Sequence, residues 1–126
     1  MVTNAAQLDE PYNVLSVNCP SRLVLARIGE KWTLMCMLAL AAGPRRFTEL
    51  KDDIGVVTPK VLTETLRALE RDGLVSRLVF AQVPPRVDYE LTDLGRSLLT
   101  PVQAIREWAE SNVVHVLEAR ERADAI

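Results

Sequence analysis

The chain holds one histidine and two cysteines in 126 residues. His115 alone cannot build a His-based metal site or a hydrolytic triad. Cys19 and Cys36 are not spaced as a CxxC pair and have no histidine beside them, which argues against a zinc module. A basic surplus is missing too: the formal net charge is -2, whereas nucleic-acid-binding domains often carry a clear positive excess. The longest apolar run, Leu34 to Ala42, falls far short of the roughly 20 residues that cross a bilayer. The first residues have no basic segment leading into an apolar one, so no signal peptide is expected. There is no internal repeat and no low-complexity segment. No nucleophile, base and orienting group can be assembled, so neither an enzyme nor a cofactor is expected. What remains is a cytoplasmic, thiol-reduced chain of one domain, 48% apolar and 25% charged, long enough to bury a core.

The stretch that organises the rest runs from Phe47 to Tyr89. Two short helical patterns flank a turn at Gly55-Val56-Val57. Thr48 is the expected N-cap of the first, over Glu49 to Ile54, with Phe47, Leu50 and Ile54 inward. Thr58 caps the second, and Pro59 suits its first position, where a missing N–H costs little. Val61, Leu62, Leu66 and Leu69 form its buried stripe, and Lys60, Thr63, Glu64, Arg67 and Arg71 fall on the opposite side. Asp72-Gly73 ends it. Val75 to Phe80 and Arg86 to Leu91 alternate as two strands around a proline-stiffened tip at Gln82–Pro85. Helix, turn, helix and hairpin is the layout of a winged helix, which places one helix in a DNA groove.

The flanks complete the plan. Residues 1–18, with Leu8, Val14, Leu15 and Val17 scattered around Pro11, read as an arm that is either frayed or laid on a partner subunit. Cys19-Pro20-Ser21 opens a short helix with Leu23, Ala26 and Ile28 inward, broken at Gly29. A helix from about Glu30 to Ala42, apolar almost all round, is the expected central core helix, stopped by Gly43-Pro44. Arg45-Arg46-Phe47 is a candidate third strand. Thr92 caps a last helix that Pro101 should kink or restart. Beyond it Val102, Ile105, Ala109, Asn112 and Val116 repeat at alternating three and four, widened by Trp108, Val113 and Leu117. That apolar surplus reads either as a dimer seam or as a helix folded back over the core. The resulting organisation is an arm over 1–18, a winged-helix DNA-binding domain over 19–95, and a dimerisation helix with its tail over 96–126.

Candidate contacts follow from this layout. A major groove is about as wide as a helix, and side chains near the helix N-terminus reach base edges, here Thr58, Lys60, Thr63 and Glu64, with Arg67 one turn on. Arg45, Arg46, Thr48, Lys51, Arg71, Gln82 and Arg86 are candidates for phosphate or wing contacts. Arg86 beside the tip suits a narrow minor groove, or it simply pairs with Asp88. Cys19 precedes a helix N-terminus, where thiolate is favoured, and is either a reactive thiol or an inert one. Cys36 reads as a small core hydrophobe.

Across residues 19–110 the chain resembles the HxlR-type winged-helix regulators, relatives of the MarR group. The resemblance rests on an ordered series: Cys19-Pro20; Gly29-Glu30-Lys31-Trp32; Arg46-Phe47-x-Glu49-Leu50; Leu62-Thr63-x-x-Leu66-Arg67-x-Leu69-Glu70-x-Asp72-Gly73-Leu74-Val75; Pro84-Pro85-Arg86-Val87-x-Tyr89-x-Leu91-Thr92-x-x-Gly95; and Trp108. The family commonly has a second glycine where Glu30 stands and a serine near the start of the recognition helix. The resemblance implies a mainly α fold with a small β-hairpin wing, a cytoplasmic homodimer joined through its first and last helices, and two recognition helices on a palindromic site in double-stranded DNA. It also implies, for some members, a small-molecule or oxidant inducer sensed at a cysteine before the proline, the position of Cys19. Two alternatives stay open on the residues alone: a ligand-responsive regulator without a thiol switch, and a winged-helix protein-interaction module that does not bind DNA.

Overall fold

The computed structural model describes residues 11–125. The part of the N-terminal arm before Pro11, with Leu8, and the final residue of the tail lie outside the described residues. The chain runs α1 (Ser21–Ile28), α2 (Lys31–Leu40), β1 (Arg45–Arg46), α3 (Phe47–Ile54), α4 (Pro59–Arg71), β2 (Val75–Phe80), β3 (Arg86–Leu91) and α5 (Asp93–Asp124). The strands form one antiparallel sheet in the order β1-β3-β2. Arg45 lies opposite Tyr89 and Arg46 opposite Asp88, while β2 and β3 pair from Val75 with Leu91 out to Phe80 with Arg86. This is a winged helix-turn-helix.

The core gathers around α2, which touches α1, α3, α4, α5 and β3. Cys36, Met37 and Leu40 of α2 meet Leu50 of α3, Leu62, Leu66 and Leu69 of α4, Leu74 and Val75 entering β2, Leu91 of β3 and Val102 of α5. Each of the larger side chains removed from water here contributes about 1.5–3 kcal/mol. The winged-helix unit therefore folds around its own interior.

Local chemistry places the turns. Gly55 closes α3 at φ +93° and Gly73 follows α4 at φ +75°, conformations in which a Cβ would be strained. Thr58 caps α4 by accepting the Val61 N–H at 3.2 Å, with Pro59 at the first helical position. The cap of α3 is not Thr48. The helix starts two residues earlier than Glu49, at Phe47, and the Glu49 carboxylate reaches back to accept the Arg46 N–H at 2.9 Å. With Arg46 held extended by β1 the N-cap falls there, Glu49 three residues on satisfies its N–H, and Thr48 lies inside the first turn.

Two other expectations change. The central helix ends at Leu40 rather than Ala42, and Gly43 turns the chain at φ +143° outside the left-handed cap geometry. Pro101 does not restart the last helix, which continues through it over 32 residues, about 48 Å at the usual rise. Pro101 and Ser97, whose carbonyl loses its helical donor to the proline, are both exposed residues. The start of α5 is tied tightly to the end of α4. The Thr92 hydroxyl donates to the Gly73 carbonyl at 2.6 Å and accepts the Gly95 N–H at 3.0 Å, and the Thr92 N–H donates to the Leu74 carbonyl at 3.1 Å. Gly95 is buried at this joint, and a Cβ there would collide with the Leu74 carbonyl.

Candidate nucleic-acid interface

α4 is two-faced. Leu62, Thr65, Leu66 and Leu69 are buried, and the Thr65 hydroxyl satisfies itself on the Val61 carbonyl at 2.8 Å. Threonine bonding back one turn is how a polar residue enters a buried stripe, and this is why Thr65 belongs with the leucines although its residue type does not announce it. Val61, expected inside, is half-buried. Lys60, Glu64, Arg67 and Arg71 stand exposed along one ridge at spacings of four, three and four, with Thr63 half-buried beside them. Among the described residues Lys60, Arg67 and Arg71 have no carboxylate within ion-pair distance. The outward ridge of α4 therefore carries three unneutralised cations and one carboxylate, Glu64. Thr58 at its head uses its oxygen as the cap but keeps its hydroxyl proton to give.

The cations around α4 divide into two sets. Arg46, Lys51 and Arg77 are likewise unpaired among the described residues, and Thr48 is exposed at the start of α3. Arg45 is committed to its own chain, 3.6 Å from Glu49 and 3.9 Å from Asp53. Arg86 is committed more firmly. Its guanidinium donates to both oxygens of Asp88, at 2.9 and 3.1 Å, and lies over the Phe80 ring at 5.5 Å from the centroid. Residues two apart on a strand share a face, which brings this pair together. The bidentate hydrogen bond holds the Asp88 carboxyl below the usual carboxylate range. Of the two readings open for Arg86, pairing with Asp88 describes the free protein. The wing tip itself, Ala81 to Pro85 with Gln82, is exposed and carries no charge.

The thiols separate cleanly. Cys19 Sγ lies 3.0 Å from the Ser21 hydroxyl and accepts the Asn13 N–H at 3.3 Å. The Ser21 hydrogen bond is the main cause holding its pKa below the ordinary thiol value. Cys36 is fully buried, and desolvation pushes its thiol up to about 12. Among the described residues no group of three potential metal ligands comes together, and no helix is long and apolar enough to cross a membrane.

The apolar stripe on α5 splits in two. Val102, expected at a seam, is 1% exposed and belongs to the core of the chain itself. Past it Ile105, Trp108, Ala109, Val113 and Val116 are exposed, and the Asn112 amide donates back to the Trp108 carbonyl at 2.8 Å. Ile105 and Ala109 line a crevice of about 650 Å³ with Met35 and Leu38 of α2 and Ile54 of α3. At the other end of the chain α1 buries nothing: Leu23, Val24, Leu25 and Ala26 are exposed, and only Ser21, Arg27 and Ile28 are partly covered. The inward face expected for Leu23 and Ala26 does not exist within this chain. Arg27 and Asp72, joined at 2.8 Å, escaped the sequence reading because nothing local links residues 45 apart.

Comparison with known proteins decides the family. A model of the HxlR-like helix-turn-helix matches residues 27–116. The chain belongs to the HxlR-like helix-turn-helix family. It is 39% identical over 124 residues to a protein of Escherichia coli K12 named as the uncharacterized HTH-type transcriptional regulator YtfH, covering 98% of both chains. A solved ytfH chain from Salmonella typhimurium, also named as a transcriptional regulator, superposes with a TM-score of 0.80 at 39% identity, over 88% of this chain and 99% of that one. The redox regulator HypR is similar in both its forms at 42% identity. The reduced form has a TM-score of 0.72 over 79% of this chain and 98% of HypR, and the oxidised form 0.70 over 75% and 97%. The protein is an HTH-type transcriptional regulator of this family, and its winged helix is a DNA-binding fold.

Proposed function

We propose that this HxlR-like regulator acts in the cytoplasm as a homodimer that reads a palindromic operator with a pair of α4 helices. The observation that carries the reading is the ridge of unneutralised Lys60, Arg67 and Arg71 on the outward face of α4. Thr58, Lys60, Thr63, Glu64 and Arg67 reach base edges. Lysine and arginine suit guanine, and threonine suits a thymine methyl. Arg46, Thr48, Lys51, Arg71 and Gln82 hold phosphates and the wing groove. Arg45 and Arg86 serve there in a lesser role, because each is already partnered by a carboxylate. Residues 19–95 form the reading unit, and residues 96–126 with α1 form the seam, through Ile105, Trp108, Ala109, Asn112, Val113 and Val116.

The test is selection of bound duplexes from a random pool, followed by titration of the selected site against Lys60→Ala and Arg67→Ala. Each substitution is expected to weaken the selected site by roughly 1–3 kcal/mol and to relax preference at its own base pair. Binding must also weaken steeply as salt rises. Recovery of no common sequence, or unchanged affinity in both variants, overturns the assignment.

A second element of the reading is that oxidants or electrophiles act at Cys19, supported by the hydrogen bonds from Ser21 and Asn13 that favour its thiolate. A ligand held in the α2–α5 crevice is the competing signal. Operator release on peroxide or quinone exposure, retained in Cys19→Ser, would favour the ligand.

A further inference from the structure

Both helices assigned to the seam converge on one short segment, Asp72 to Leu74, the end of the recognition helix. From α5 the joint is built into the backbone: Thr92 binds the carbonyls of Gly73 and Leu74, and Gly95 packs on Leu74. From α1 the connection is different in kind. A groove of about 670 Å³ separates α1 from the body, with Leu23, Val24 and Ile28 on one side and Leu74, Leu94 and Leu98 on the other. α1 has no buried residue to hold it there.

What crosses the groove is Arg27. Its Nε donates to Asp72 Oδ2 at 2.8 Å, and its Nη1 donates to both carboxylate oxygens of Glu30, at 3.1 and 3.2 Å. Among the described residues no other side-chain hydrogen bond or ion pair joins α1 to α4. One planar guanidinium thus spans the α1–α2 junction and the C-cap of α4. The rigid fork of arginine fixes direction as well as distance, which an ammonium on a flexible stem does not. Asp72 ends α4, whose other end carries Lys60. Over 13 residues, about 20 Å of helix, a small tilt at Asp72 becomes a displacement at the reading end.

We propose that Arg27 is a positioning residue for DNA reading: its fork between Glu30 and Asp72 sets the angle of α4 against the seam helix α1, and so the separation of the two recognition helices in the dimer. This rests on the reading of α4 as the groove helix and α1 as part of the seam. Half-site spacing is the quantity such a residue controls, because two-fold operators match the distance between recognition helices.

The experiment uses the full chain and the duplex that wild type selects from a random pool, together with the same duplex carrying one or two extra base pairs between half-sites. Wild type is expected to discriminate sharply between the spacings. Arg27→Gln and Asp72→Asn are each expected to weaken the selected spacing by about three- to fivefold, the range of a partly exposed ion pair. They are also expected to shrink the preference between spacings by a similar factor. The double variant should be no worse than either single one, and Glu30→Gln, which removes one of the two carboxylate oxygens holding the other arm of the fork, should shrink the preference by less than either. Arg27→Lys guards against a variant that fails to fold: it keeps the charge, loses the fork and should also lose spacing preference. Light scattering accompanies each titration, so that a change in mass is separated from a change in angle. Wild-type spacing preference in Arg27→Gln, or in Arg27→Lys should Arg27→Gln not fold, overturns the proposal and leaves α4 as the reading helix. Failure of wild type to select any duplex overturns both.

Discussion

The half of the molecule built from α2, α3, α4 and the sheet differs in kind from the half made of α1 and the distal part of α5. In the first, every helix contributes fully buried side chains, and Leu62, Leu66 and Leu69 face Met37 and Leu40 across a closed interior. In the second, Leu23, Val24, Trp108, Val113 and Leu117 are all at least 47% exposed. An apolar surface of that extent is rare on a monomer that works alone. The first half is finished within one chain, and the second leaves its apolar side chains uncovered.

Three tests bear on that contrast, beginning with the largest effect. Leu66→Ala opens a cavity in the finished half and is expected to cost about 2–5 kcal/mol, read as a lower urea midpoint with an unchanged slope. A cost below 1 kcal/mol would mean that this half is not the stable one. Val113→Glu with Leu117→Glu places charge in the unfinished half. The expected outcome is a halved mass by light scattering, a helical circular dichroism spectrum close to wild type, and operator affinity lower by about a hundredfold, the order expected when two linked contacts become independent. A variant of unchanged mass would move the seam elsewhere.

The smallest effect contrasts the two thiols. Native protein treated with iodoacetamide is expected to label at Cys19 alone, and Cys36 only after unfolding, because burial holds that thiol near 12. The labelling rate of Cys19 should reach half-maximum below the ordinary thiol pH, and Ser21→Ala should move that midpoint upward by removing the main hydrogen bond to the thiolate. Equal labelling of both cysteines in the native state would erase the distinction.

The finished half is also the half that can be read from sequence. Gly55 and Gly73 announce their positive φ angles, Thr58-Pro59 announces a helix start, and leucines at helical spacing announce a buried face. These signals are local, and the core they build is local to one chain. Val102 was misplaced because a stripe on a long helix keeps its period while its surroundings change, from α2 at one end to open crevice further along. Leu23 differs for another reason: periodicity marks an apolar face but not whether anything covers it, and Leu23 stays exposed. The Thr48 cap failed against a competitor three residues wide, Glu49 reaching back to Arg46. The candidate site shows the same division. The exposed ridge of α4 follows from spacing alone. The neutralisation of Arg45 by Asp53 and the bridge from Arg27 to Asp72 depend on how elements pack.

The internal pairing of Arg27, Arg45, Arg86 and Arg106 reaches beyond the fold. A chromosome offers about a million or more arbitrary sites for each operator, and free cations bind all of them. Each arginine already held by a carboxylate of its own chain is one cation fewer for that background. Removing those carboxylates is therefore expected to raise affinity for arbitrary duplex more than for a selected one, read as a smaller ratio between the two.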